Sequence, residues 1–173
     1  KNNKILINQF YFENTFIRKK GQDYKKGKTL LKKGKKINAR DIGLLLSSGI
    51  NKITVYRMPN IAIIATGNEL LEPSKKLMAN KIYASSLYML KNLLQLSGTK
   101  CIDLKIIKDD EKLIKKYIKS LKNLDILITT GGVSVGKKDL VKSTLNKLGM
   151  EQKFWKVLIK PGKPVLYGKI KNT

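Results

Sequence analysis

From Asn60 onward, short apolar runs alternate with stretches of helical periodicity, and that alternation limits the fold more than any other feature of the chain. Ile61 to Ala65 is apolar throughout and short, as expected of a strand buried on both faces. Leu87, Leu90 and Leu94 share one helical face, which Gly98 ends, and Ile102, Leu104 and Ile106 alternate as a second strand. Leu113, Ile114, Tyr117, Ile118 and Leu121 show the clearest helical spacing in the chain. A third strand is predicted from Asp125 to Thr129. A helix follows, carrying Leu140, Val141, Leu145 and Leu148 up to Gly149, and a fourth strand runs from Phe154 to Ile159. Strands and helices in strict alternation predict βαβ units and a largely parallel sheet.

The first third reads differently. Gly21, Gly27 and Gly34 separate short runs such as Lys28 to Lys32, which predicts a small β-rich unit with tight turns. Asn38 is placed to cap a short helix with Asp41 in its first turn, Ile42, Leu45 and Leu46 on one face and Gly49 as its stop. Ile53 and Val55 alternate with polar neighbours as a strand. Pro59 marks a boundary, because its fixed φ and missing N–H favour a connection.

Composition removes several classes of function. The 173 residues are 42% hydrophobic, enough to bury a core, and the single Cys101 cannot form an internal disulfide, which points to a reducing compartment. Without histidine there is no Ser-His-Asp or Cys-His triad and no histidine zinc site. The longest apolar runs, Ile42 to Leu46 and Ile61 to Ala65, fall far short of the ~20 residues that cross a bilayer, and Lys1 to Phe12 has no signal-peptide pattern. The formal net charge of +25 suggests polyanions. Yet only Arg18, Arg40 and Arg57 are arginines, and the tyrosines and phenylalanines form no stacking pattern among the lysines. A lysine-rich solvated surface, with no specific nucleic acid and no membrane partner, is the expectation.

In a parallel sheet every loop that follows a strand emerges at one edge, and ligands bind there. The expected rim therefore gathers Thr66-Gly67-Asn68-Glu69, Lys108-Asp109-Asp110, Thr129 to Gly136, and Lys160-Pro161-Gly162-Lys163-Pro164. Gly131, Gly132 and Gly136 allow the backbone close to a ligand, and a loop that opens a helix offers N–H groups to a phosphate. The plain alternative is a tight strand-to-helix turn with no ligand. Asp139 is equally consistent with a helix-start carboxylate, and Asp109 and Asp110 with caps for the helix near Glu111. With only twelve acids in the chain, Glu69, Asp109 and Asp139 on one rim suit Mg²⁺ held together with substrate phosphates. Lys156 is expected to project from the last strand, and Lys160 and Lys163, flanking the rigid Pro161-Gly162 turn, are placed to hold two ammonium groups where an oxyanion could be neutralised, although any single lysine in such a chain reads first as solvated surface.

The order TGNELLEP (66–73), IYASS (82–86), IIKDD (106–110), TTGGVSVGKKD (129–139) and FWKVLIKPGKP (154–164) resembles the molybdopterin molybdotransferase family, bacterial MoeA and the gephyrin E domain. Residues 17–50 are similar to that family's domain just before the core. The resemblance implies a three-layer αβα core of the molybdopterin-binding fold over 58–173, preceded by a β-rich linking domain over 1–57. It further implies a cytoplasmic homodimer that takes adenylylated molybdopterin and molybdate and releases AMP with Mg²⁺ assisting, the molybdopterin adenylyltransferase being a further partner. By motif position Glu69, Asp109, Asp139, Lys156 and Lys160 match the family's functional acids and lysines, the three acids holding metal. Thr66, Gly131, Gly132, Ser134, Gly136 and Lys163 fall where substrate is bound. Two departures stand out: Asn68, where the family usually has Asp, and Ala84-Ser85-Ser86 in place of an Asp-x-Asn pattern. Family members are longer at both ends, so the expectation for this stretch alone is weak or absent turnover. A non-catalytic molybdopterin-binding or scaffold module, or an adenylyltransferase-like domain, is the alternative.

Overall fold

The computed structural model describes residues 4–6, 10, 12, 16–132 and 140–170. The chain divides into two compact units, Lys1–Val55 and Tyr56–Thr173.

The first unit holds helix α1, Ala39–Ser47. Its start is a capping box: the Asn38 side chain accepts from the Asp41 N–H at 3.1 Å, and the Asp41 carboxylate accepts from the Asn38 N–H at 3.1 Å. The Lys35 ammonium also bonds Asp41 and, with the Asn38 N–H, holds that carboxyl below its usual range. Leu45 is buried, whereas Ile42 and Leu46 on the same face are exposed. The expected turns close through Gln22 N–H to Lys19 O, Lys28 N–H to Lys25 O and Lys35 N–H to Lys32 O. Strands were expected here as well, but none forms among the described residues of this unit, and Ile53 and Val55 lie exposed without a ladder. The physical reason is sparse apolar content: lysine-rich runs between turns have little apolar surface with which to hold a pair of strands together.

In the second unit β1, Asn60–Thr66, starts directly after Pro59 and is central to a three-stranded parallel sheet. It pairs with β4, Lys100–Ile107, on one side and β5, Ile126–Thr130, on the other, so Ile63 faces Leu104 and Ile128. Between β1 and β4 come the two-residue strands β2, Leu70–Leu71, and β3, Ile82–Tyr83, which pair with each other, and helix α2, Ser85–Leu96. Helix α3, Glu111–Ser120, follows β4, and α4, Leu140–Lys147, follows β5. Pleating sends alternate residues of β1 to opposite faces. Ile63 and Ala65 pack with Ala84 and Leu87 at the start of α2, while Ile64 packs with Ile114 and Ile118 of α3 and Val141 and Leu145 of α4. The result is three layers, α2 against one face and α3 with α4 against the other, around a strand whose Ala62, Ile63, Ile64 and Ala65 are wholly buried.

The fourth strand departs from expectation. β6 runs Met150–Trp155 and pairs antiparallel with β7, Leu166–Ile170, in a separate two-stranded sheet. Glu151, Gln152 and Lys153 are exposed, so this segment lacks the continuous apolar character that a strand buried on both faces of a parallel sheet needs. Its ends supply the attachment: Met150 and Ile170 pack on the cluster formed by α3 and α4.

Candidate functional site

Three loops leave the carboxyl ends of β1, β4 and β5 together. Thr66 closes β1 and is only 5% exposed, and its hydroxyl is enclosed without a hydrogen-bond partner among the described residues. Against it lie Gly131 and Gly132, with φ of +80° and +65°. A Cβ on Gly131 would stand 2.7 Å from the Thr66 carbonyl oxygen; one on Gly132 would stand 2.3 Å from Cγ2 of Val141 and 3.1 Å from the Thr66 hydroxyl. Both conformation and space therefore require glycine at the start of the loop that enters α4. A buried hydroxyl without a partner is costly in a protein interior, and here it borders a cradle that side chains cannot fill.

Beside this corner, the β1 and β4 loops are fastened to each other. The Gly67 N–H donates to the Ile107 carbonyl at 3.2 Å. The Asn68 N–H donates to Oδ2 of Asp109 at 3.1 Å, and the Asp109 N–H donates to Oδ1 of Asn68 at 3.3 Å. The Lys81 ammonium bonds the Asn68 carbonyl. Glu69 folds its carboxylate back over Gly67, where both oxygens stand 2.6 Å from the position a Cβ would take. The two neighbouring acids also separate by role. Asp110 caps α3 by accepting from the Leu113 N–H at 3.0 Å, whereas Asp109 bonds across to Asn68.

Glu69 and Asp109 thus lie on adjoining loops, a donor set that fits Mg²⁺ in its usual mode of one or two carboxylates plus substrate phosphates. Among the described residues no group of three potential ligand side chains sits together. Ser134, Gly136 and Asp139 lie outside the described residues.

The lysines do not follow a strand of the parallel sheet, as was expected, because β6 belongs to the separate β6–β7 hairpin. Lys156, Lys160 and Lys163 all belong to the connection of the β6–β7 hairpin, closed by Lys156 N–H to Val165 O at 2.8 Å and Val157 N–H to Lys163 O at 2.9 Å. What joins the hairpin to α4 beyond the apolar contacts is Trp155, whose ring carries the Lys156 ammonium at 4.4 Å and that of Lys142, on α4, at 3.2 Å from its centroid. Lys160 and Lys163 stay exposed. Motif reasoning marked Asn68 only as a departure and did not anticipate its bonds to Asp109 or the meeting of Trp155 with Lys142, since each is a contact between distant segments.

Comparison with known proteins decides the family. Residues 62–173 match the family described as "Probable molybdopterin binding domain", and residues 2–49 match "MoeA N-terminal region (domain I and II)". The chain belongs to the molybdopterin molybdotransferase family. It is 39% identical to the molybdopterin molybdenumtransferase of Haemophilus influenzae over 170 residues, which is 98% of this chain and 42% of that protein. Against the enzyme of the same name from Nostoc sp. the identity is 35%, over 95% of this chain and 38% of the relative. Among solved structures, the molybdopterin biosynthesis MoeA protein of Pyrococcus horikoshii superposes with a TM-score of 0.71 at 35% identity, covering 89% of this chain and 38% of that one. The chain therefore spans about two-fifths of the length of these relatives.

Proposed function

We propose that this chain forms the linking and core portions, 1–57 and 58–173, of a molybdopterin molybdotransferase. The enzyme acts on adenylylated molybdopterin, cleaves its phosphoanhydride with release of AMP, and leaves molybdenum from molybdate on the dithiolene. The observation that carries the reading is the enclosed, unpartnered Thr66 hydroxyl against the Gly131–Gly132 cradle, next to acids held on two fastened loops. Backbone N–H groups of the glycine loop, with Ser134 and Gly136, bind the pterin phosphate, and Thr66 donates its hydroxyl to the same anion. Lys156, Lys160 and Lys163 offset charge that develops on the phosphoanhydride. Glu69, Asp109 and Asp139 hold Mg²⁺, which when bound supplies charge neutralisation at the phosphates. The same reading carries a cytoplasmic homodimer, with the molybdopterin adenylyltransferase as the source of substrate.

The test is AMP release from adenylylated molybdopterin by the full-length protein and by its Asp139→Asn and Lys160→Ala variants. Each variant is expected to lose about 10²–10³ in rate, the usual cost of one preorganised charge contact. Unchanged rates in both remove the proposed site. Undiminished pterin affinity with no AMP formed by the wild type indicates a binding module instead.

A further inference from the structure

β4 lies at an edge of the parallel sheet, and among the described residues no strand pairs with its outer side. From Asp103 to Ile107 it runs in unbroken register with Ala62 to Thr66. The Ile107 carbonyl accepts the Gly67 N–H at 3.2 Å and therefore faces β1. Backbone groups alternate in direction along a strand, so the N–H and C=O of Leu104 and Ile106 point the other way, out of the sheet. A groove of about 300 Å³ follows that side, lined by Glu72, Leu87, Tyr88 and the consecutive residues Asp103 to Ile106. Side chains of consecutive strand residues alternate between faces, and one groove touches four in a row only by running along the edge.

An open edge of this kind is a template for another strand, and it is complementary to its own copy. Two β4 strands set antiparallel about Lys105 exchange the Leu104 N–H with the Ile106 carbonyl, and the Ile106 N–H with the Leu104 carbonyl. Three features of the chain oppose that pairing. Oδ1 of Asp103 already accepts the Leu104 N–H at 2.8 Å, which removes one of the two donors each strand would offer. Ile102 is left out of the ladder, since Ile61 pairs with Cys101 and Ala62 with Asp103, so the strand is bulged just ahead of the open groups. Lys105, which is exposed, would stand opposite its own counterpart. We infer that Asp103 guards the β4 edge against pairing with a second copy of this chain, through an autoinhibitory bond to the Leu104 N–H. This guard works independently of the function proposed above.

The experiment measures sedimentation of the full-length protein across a range of concentrations, with amide exchange at Leu104 and Ile106 alongside. Asp103→Ala should assemble beyond the wild-type state at a protein concentration at least about tenfold lower than wild type does, and protection of both amides should rise with assembly. Removing an acid from a chain of net charge +25 adds repulsion, so such assembly does not come from charge. Asp103→Asn keeps an oxygen able to accept the Leu104 N–H and should stay at wild-type size. Asp103→Val, a strand-favouring side chain that accepts no bond, should behave as Asp103→Ala does. Adding Ile106→Pro removes an outward N–H and should reverse the assembly. Asp103→Ala and Asp103→Val proteins that keep wild-type size at every concentration overturn the inference. So does assembly that Asp103→Asn shares or that Ile106→Pro leaves intact, because it arises from exposed core and not from the edge.

Discussion

The two ends of the parallel sheet are built on opposite terms. Where β1 and β5 begin, polar groups are matched: the Arg57 guanidinium grips Asp125 through two bonds of 2.6 Å, and Asp125 also accepts from the Asn60 N–H at 2.7 Å. The Asn60 amide donates to the Asn123 carbonyl at 2.7 Å, and the Asp125 N–H returns to the Asn60 carbonyl at 3.0 Å. Where the same strands finish, a buried hydroxyl has no partner among the described residues and two glycines hold left-handed conformations. The first end spends its polar groups on closing the sheet. The second leaves the Thr66 hydroxyl without a partner among the described residues, while Asn68 and Asp109 fasten its loops to each other.

Gly132→Ala strikes the open end hardest. A methyl group in a left-handed residue and against Val141 should cost about 1–3 kcal/mol of stability and abolish AMP release, as denaturant melts and activity assays would show. Thr66→Val sharpens the contrast. Removing a hydroxyl that bonds nothing among the described residues should leave stability unchanged or raise it by up to about 1 kcal/mol, while pterin-phosphate affinity falls at least about tenfold. Clear destabilisation by this change would make the two ends alike and break the comparison.

At the closed end, Asp125→Asn should lower the melting temperature by a few degrees and leave AMP release untouched. The effect also depends on pH in a defined direction. Arg57, then the Asn60 N–H, hold the Asp125 carboxyl below its usual value in the fold, so its stabilisation is complete above about pH 5 and is lost as pH falls through the lower, folded value. Wild type and variant should therefore converge in acid. The smallest effect belongs to Tyr117, packed on the α3 and α4 cluster. Burial, followed by the neighbouring Asp103, raises its phenol pKa. The unfolded phenol ionises near pH 10 while the folded one does not, so wild-type stability should decline above that pH. Tyr117→Phe should remove that decline and differ by less than about 1 kcal/mol at neutral pH.

The core strands could be read from the chain because their signal is local. Ile61 to Ala65 is apolar without a break, and the structure buries β1 on both faces; Ile114 and Ile118 recur on one helical stripe, and that stripe meets the sheet. The site was legible only in part. Strand-end placement brought Thr66, Glu69, Asp109 and the two glycines to one edge, but apart from the family's motif position it could not separate Asp109 from Asp110, since either can cap α3; in the structure Asp110 caps the helix and Asp109 bonds the β1 loop. The hairpin was misread for a related reason. Residues 154–159 have the composition of a strand, and whether a strand pairs parallel or antiparallel depends on a partner that local sequence does not name.

Periodicity and capping act over a few residues, so the sequence by itself determined the βαβ order, the buried central strand and the glycine loop that opens α4. The tertiary structure alone decided that Asn68 fastens Asp109, that Arg57 closes the far end on Asp125, and that Trp155 joins the lysine hairpin to α4. Those contacts link residues that are remote along the chain, and they form only once burial of the apolar layers has fixed which segments are neighbours.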